Sequence, residues 1–197
     1  MPSLDKLTVE AIKRRAVAGV LALTGRNIIQ QVVLFVSMIF LTIFLAPEEF
    51  GTFAIVSAIL GFLNYFSNVG LAAALIQKKD PVTRRELTTT FTIQQILVLV
   101  LIILTFFATP YIQKWQQLTQ EGIYLLWAMS ASLIFPSLKT IPSVLLERRL
   151  DFKRLIIPEI LETIVFSTVV VTLAWKGFGV TSYTFGVIAR GIVGLVV

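Results

Sequence analysis

Six apolar runs, each long enough to cross a lipid bilayer, constrain this chain more than any other feature of its sequence. A helix needs about 20 predominantly apolar residues to span the roughly 30 Å hydrocarbon layer, where only helices and closed barrels satisfy their backbone polar groups. The runs predict membrane-spanning helices over residues 17–46, 53–76, 88–112, 123–146, 155–175 and 180–197. The period-two alternation that marks a membrane β-barrel does not occur in them. We therefore predict an all-α fold, a polytopic bundle of six transmembrane helices.

The composition excludes several classes of protein. Only 14% of the residues are charged, against about 25% in ordinary soluble domains. The sequence contains no Cys and no His, which excludes a disulfide framework, the usual zinc sites and every Ser–His or Cys–His catalytic pair. It also lacks a phosphate-binding P-loop, and its connections are too short to assemble a catalytic site. We expect no enzyme activity, no cofactor and no bound metal.

Basic residues are distributed unevenly between the connections. The N-terminal segment and the connections at 77–87 and 147–154 hold twelve Lys and Arg, whereas the other three connections hold only Lys114 and Lys176. Because Lys and Arg are retained on the cytoplasmic side, this predicts a multi-pass protein of the cytoplasmic (inner) membrane with a cytoplasmic N-terminus. The same distribution accounts for the net charge of +6, so binding to nucleic acid loses its support.

The two ends of the sequence predict a secretory signal as an alternative at the start and a truncated bundle at the end. Residues 13–15 are basic and residues 16–23 are apolar, which also fits a secretory signal; its removal would leave five or six spans. The chain stops at Val197 inside an apolar run, with no polar cap. This ending predicts one transmembrane bundle that is truncated and lacks a second lobe.

Four short motifs stand at the ends of the predicted spans. They read L-A-P-E-E-F-G-T-F at 45–53, N-V-G-L-A-A-A-L-I-Q-K-K at 68–79, E-R-R-L-D-F-K-R at 147–154 and G-F-G-V at 177–180. In this order and at these helix ends, they resemble the N-terminal half of polysaccharide (oligosaccharide) flippases of the multidrug/oligosaccharidyl-lipid/polysaccharide exporter superfamily. Residues 181 and 182 depart from the pattern, with Thr-Ser where many relatives carry Trp and a small residue. The resemblance covers essentially the whole chain but only one of the two lobes of such a protein.

The resemblance implies a function and a set of partners. It implies a transporter that moves a lipid-diphosphate-linked oligosaccharide across the cytoplasmic membrane for cell-surface polysaccharide, such as lipopolysaccharide. The implied partners are that lipid-linked oligosaccharide, membrane lipids, polysaccharide synthesis proteins, and a second lobe or a second copy of the chain. Two other functions stay open: a drug/cation antiporter of the same superfamily, and a non-transporting membrane scaffold subunit.

Opposite charges occur at matching depth in the fourth and fifth runs. With a rise of 1.5 Å per residue, Lys139 lies about 13 Å and Glu162 about 12 Å from the cytoplasmic edge. We predict that Lys139 pairs with Glu162, or with Glu159 on the same face three residues earlier. Either the pair only holds the helices together, or Glu159 and Glu162 line a polar cavity and bind a coupling proton or sodium ion. Prolines at 136 and 142, which free backbone carbonyls, favour the second interpretation.

Two arginines and two asparagines complete the polar set inside the spans. Arg190 lies near the midplane, about 16 Å from the outer surface, whereas Arg26 lies at the inner boundary, where it can instead reach the lipid headgroups. The resemblance implies that Arg26, Lys139 and Arg190 form a cationic cavity for the diphosphate, to which arginine is suited by its paired donors. Asn64 and Asn68 bond either to a neighbouring helix or to sugar hydroxyls.

Overall fold

The described residues form a bundle of eight α-helices without a strand. A computed structural model describes residues 4–67, 70–78, 80, 82–149 and 151–196. In chain order the helices are α1 (Leu4–Phe44), α2 (Pro47–Ser67), α3 (Leu71–Gln77), α4 (Arg84–Gln116), α5 (Gln120–Ala131), α6 (Ile134–Arg148), α7 (Phe152–Trp175) and α8 (Thr181–Val196). The predicted all-α membrane bundle is thereby confirmed.

Two of the predicted spans are interrupted. The span predicted at 53–76 is wrong as a single helix, because α2 ends at Ser67 and α3 starts at Leu71. Gly70, directly before α3, has φ 73°, a left-handed conformation that glycine adopts without a steric penalty. The span predicted at 123–146 is divided between α5 and α6, with Ser132 and Leu133 outside both helices. Hydropathy did not reveal either interruption, since the apolar residues of each run outnumber the few polar ones at the break.

The number of spans differs slightly from six. Within the described residues, five stretches are long and apolar enough to cross a membrane: Val17–Phe44, Pro47–Ser67, Arg84–Gln116, Gln120–Arg148 and Arg154–Trp175. The sixth, α8, has only 16 residues in the part of the chain that is described, whereas about 20 are needed for a full crossing. The other helices extend beyond most predicted bounds, because helical geometry continues into the polar ends of each run.

The apolar core lies at one end of the bundle. Its buried residues come from the C-terminal parts of α1 and α7, the N-terminal halves of α2 and α8, α5, and positions just outside these helices. They are Leu41, Leu45, Val56, Leu118, Leu125, Leu126, Met129, Val170, Ala174, Val180, Tyr183 and Val187. The rings of Phe53 and Tyr183 stack with their centroids 4.0 Å apart. These elements adjoin the connections that are poor in basic residues, so the predicted outer end of the bundle is the packed end.

The outside of the bundle is apolar instead of polar. Large side chains such as Phe35, Ile43 and Phe107 are about two thirds exposed or more. Soluble proteins rarely present apolar surfaces of this extent. The described helices therefore fit a hydrocarbon environment.

Arg148, at the end of α6, holds the connection that follows α3. Its Nη1 donates hydrogen bonds to the carbonyl oxygens of Leu75 (2.5 Å) and Lys78 (2.8 Å), and its Nη2 donates to that of Asp80 (3.0 Å). Two of these carbonyls belong to the last turn and cap of α3, where oxygens lack helical partners. The Arg148 side chain thus joins α6, α3 and the connection that follows α3.

Candidate functional site: a charged cavity between four helices

A cavity of about 610 Å³ lies between α1, α6, α7 and α8, at the end of the bundle opposite the apolar core. The described lining includes four basic side chains, Arg26, Lys139, Arg154 and Arg190, and two carboxylates, Glu159 and Glu162. The structure therefore brings together all three cations and both carboxylates that the sequence singled out. The lining carries an excess of positive charge, which favours an anionic occupant.

Glu162 on α7 binds two cations from two different helices. Its Oε1 accepts a hydrogen bond from Nζ of Lys139 on α6, and its Oε2 lies 3.5 Å from Nε of Arg190 on α8. The predicted pairing of Lys139 with Glu162 is confirmed. The Glu162 side chain is 10% exposed, whereas that of Arg190 is 52% exposed. Arg190 is thus the least firmly held of the three predicted cations, with its guanidinium open to the cavity.

Arg26 pairs with the other carboxylate of the cavity. Its Nη1 donates to Oε2 of Glu159 on α7, and Gln30, one turn further along α1, donates from Nε2 to the backbone oxygen of Glu159 and to Oγ1 of Thr163, both at 3.1 Å. This contact between α1 and α7 was not foreseen. The sequence indicated Glu159 as an alternative partner of Lys139 or as an ion-coupling group, but not as the partner of Arg26, because depth along a helix does not reveal which distant helix lies beside it.

Two of the helices that line the cavity carry prolines in its wall. Pro142 on α6 and Pro158 on α7 line the cavity, and both also line a neighbouring groove of about 500 Å³ between the same helices. The groove and the cavity share Leu146 and Arg154 as well. Each proline removes a helical hydrogen bond, and α6 and α7 make few mutual contacts here. The groove thus adjoins the cavity through a shared wall.

The remaining predicted site residues lie elsewhere. Asn64 is half-buried on α2, which contributes none of the described lining of the cavity, so its predicted contact with substrate is not part of this site. Asn68 lies outside the described residues. Conversely, Arg154 lines the cavity although the sequence indicated only a cytoplasmic topology anchor. Its Nε lies 3.3 Å from Oδ2 of Asp151, and its side chain is 77% exposed.

Apolar helices packed at one end around a core, with a charged cavity at the other, define a multi-pass membrane protein. Residues 40–197 match the family of polysaccharide biosynthesis proteins, and the chain belongs to that family. No curated protein and no solved structure gives a significant match. The resemblance based on the four motifs is confirmed at the level of the family, which has a role in polysaccharide synthesis or export.

Proposed function

We propose that this chain is a transporter lobe of the polysaccharide flippase type. It moves a lipid-diphosphate-linked oligosaccharide across the cytoplasmic membrane for cell-surface polysaccharide synthesis, with its N-terminus in the cytoplasm and without catalysing a covalent reaction. The observation that carries the proposal is the convergence of Arg26, Lys139 and Arg190 on one cavity. Ionisable groups inside a membrane are costly unless they face a cavity, a partner or a substrate.

The charges of the cavity suit a diphosphate. Four basic side chains face two carboxylates in the lining, and Asp151 pairs with Arg154. One positive charge is therefore left in excess, and an anion compensates it. Arg190 offers a planar pair of donors that matches two phosphate oxygens, and only one contact at 3.5 Å restrains it. A cationic drug would meet net repulsion here, which argues against the drug/cation antiporter.

The groove between α6 and α7 suits the lipid part of the cargo. Its described walls are Pro142, Leu145, Leu146, Ile157 and Pro158, with Arg149 and Arg154 beside them. An amphipathic lipid can place its phosphates near these arginines while its chain remains against apolar side chains. The head group then enters the cavity from the side, and the tail stays in the bilayer.

Glu159 and Glu162 provide a means of coupling to an ion. A phosphate that binds Lys139 and Arg190 competes with Glu162 for the same cations, because both cations contact that carboxylate. The displaced carboxylate then takes up a proton or a sodium ion, so that no buried charge is left uncompensated. The energy for transport comes from the ion gradient or the membrane potential.

In the part of the chain that the structure describes, the cavity is lined by four helices of a single bundle. A second lobe, or a second copy of this chain, completes the enclosure of the cargo during alternating access. Membrane lipids surround the apolar outer face, and polysaccharide synthesis proteins supply the cargo and use it.

The proposal is tested in a strain that depends on this protein for surface polysaccharide. We expect Arg190→Ala and Lys139→Ala, made singly, to reduce export strongly while the amount of protein in the membrane stays normal. The matched control is Lys176→Ala, which removes an exposed cation outside the cavity. Normal export by both cavity variants at normal protein levels would exclude the transport role of the cavity.

A non-transporting scaffold subunit is the second candidate, and one observation favours it. Arg26 pairs with Glu159 and Lys139 pairs with Glu162 within the chain itself, as structural ion pairs do. If the chain is a scaffold, neutralising both partners of a pair preserves function. If it is a transporter, the same double change abolishes transport.

A further inference from the structure

A second polar pocket of about 400 Å³ adjoins the charged cavity. We call it the amide pocket; its lining residues are Asn27, Gln30, Gln31, Leu34, Thr163, Phe166 and Arg190. Gln30 and Arg190 line both spaces. The two spaces therefore share a wall, and one elongated ligand can occupy both.

The amides of this pocket lie on one face of α1. Asn27, Gln30, Gln31 and Leu34 have the i, i+3, i+4, i+7 spacing that places residues on one side of a helix. Gln31 lies fifteen residues before Ala46, about 22 Å from the outer end of the span. Amide groups that face hydrocarbon at this depth lose hydrogen bonds to water, so their presence on one face indicates a polar occupant.

The three amides differ in how many of their donor and acceptor groups already have a hydrogen-bond partner within the described residues. Gln30 is held by Glu159 and Thr163 through its Nε2, and Oδ1 of Asn27 accepts hydrogen bonds from Arg26 at 2.9 and 3.2 Å. The Asn27 Nδ2 makes no hydrogen bond within the described part of the chain, and neither does the exposed Gln31 side chain. Donors and acceptors are thus available at one rigidly positioned surface.

We propose that the amide pocket binds the sugar of the lipid-linked cargo. A sugar hydroxyl both donates and accepts hydrogen bonds, and an amide side chain offers both functions in return. Phe166 and Leu34 supply apolar surface for the carbon-bound hydrogens of a sugar ring, in the combination of apolar walls and a few polar groups typical of small-molecule sites. The order of the pockets, cations first and neutral amides next, matches a diphosphate followed by a carbohydrate. This inference rests on the proposed function and adds where the sugar is recognised.

The test compares two probes on purified protein in lipid nanodiscs. One probe is a polyprenyl diphosphate without sugar, and the other is the lipid-linked oligosaccharide fraction extracted from the cells that produce the protein. We expect Gln31→Leu to weaken binding of the glycosylated probe about tenfold, as the loss of one to two net hydrogen bonds implies. Binding of the sugar-free diphosphate remains unchanged and serves as the control for folding. Gln77→Leu, which removes an amide at the exposed end of α3, should change neither affinity.

Each outcome separates this inference from the function on which it rests. If Gln31→Leu leaves both affinities unchanged, or weakens both probes equally, the sugar site is excluded while the diphosphate cavity stands. If wild-type protein binds the two probes with equal affinity, the amide pocket likewise does not recognise the sugar. If wild-type protein binds neither probe, or if Arg190→Ala does not weaken the sugar-free diphosphate, the proposed function itself fails.

Discussion

Gly194 on α8 lies directly against the carboxylate of Glu162 on α7. A β-carbon at position 194 would stand 2.7 Å from Cδ of Glu162 and 2.7 Å from Nζ of Lys139. Both distances are shorter than real β-carbons tolerate. The ion pair therefore occupies space that is available only because residue 194 has no side chain, which ties the geometry of the charges to the close packing of α8 on its neighbours.

We predict that Gly194→Ala displaces the Lys139–Glu162 pair without unfolding the protein. The atoms that the new methyl group meets are the flexible ends of two side chains, which can move, whereas a helical backbone could not. Export should fall while the amount and thermal stability of the protein remain close to wild type. Gly61→Ala is the matched control, because a β-carbon there meets nothing within 4 Å. Equal export by the two variants would show that the pair's position does not matter for function.

Neutralising the two partners of the pair separately and together distinguishes structure from transport. Lys139→Met leaves Glu162 with only its contact to Arg190, and Glu162→Gln leaves Lys139 uncompensated. The Lys139 side chain is 30% exposed, so we expect each single change to cost about 1–3 kcal/mol, below the cost of breaking a fully buried pair. The double variant should recover most of this stability.

The measurement is thermal unfolding in detergent, followed by tryptophan fluorescence, with export measured in parallel. A transporter predicts that the double variant is stable but inactive. Recovery of both stability and export in the double variant would instead support the scaffold function.

Depth along each helix could be predicted from the sequence, and this was enough to foresee the contact between Lys139 and Glu162. The two lie on successive antiparallel spans joined by a short connection, so their neighbourhood follows from chain order. Arg26 and Glu159 are separated by 133 residues, and no local pattern indicates that α1 packs on α7. The sequence therefore indicated how deep each charge lies in the membrane. The partner of Arg26, in contrast, depends on how the whole bundle packs.

The amides of α1 show a second limit of reading the sequence. Gln30 and Gln31 make the inner half of the first span polar, yet the residues that the sequence analysis names for contact with sugar hydroxyls are Asn64 and Asn68. Periodicity shows which residues share a face but not what that face looks onto. In the structure, α1 lines the cavity and α2 contributes none of its described lining. This arrangement follows from tertiary packing and not from a local sequence pattern.

Arg148 should control how firmly the connection after α3 is held. Replacing it by Ala removes the donors to the carbonyls of Leu75, Lys78 and Asp80, and hydrogen bonds to charged groups contribute about 1.5–3 kcal/mol each. We expect trypsin to cleave after Lys78 at least about tenfold faster in Arg148→Ala, a difference of about 1.4 kcal/mol in local opening. The matched control is Arg149→Ala. It removes the exposed arginine next to Arg148 and, like Arg148→Ala, one tryptic site. Equal cleavage rates in the two variants would contradict this role of Arg148.

Substituted cysteines can test whether the cavity holds water and on which side of the membrane it opens. The natural chain contains no Cys, so a single introduced thiol is the only reactive one. Ser143 lines the cavity, whereas Ser130 is 2% exposed and Gln120 lies at the opposite end of the bundle, at the start of α5. We expect a membrane-impermeant methanethiosulfonate to modify Ser143→Cys from the cytoplasmic side and Gln120→Cys from the outer side only.

Ser130→Cys is the matched control, since the same substitution in the packed interior should react from neither side. Labelling is read by a mass shift of the protein after exposure of sealed right-side-out or inside-out vesicles. If Ser143→Cys reacts only from the outside and Gln120→Cys only from the inside, the orientation derived from the basic residues is wrong. If it reacts from neither side while Gln120→Cys reacts normally, the cavity is closed to water, and the charges of Arg190 and Lys139 serve only to hold the helices together.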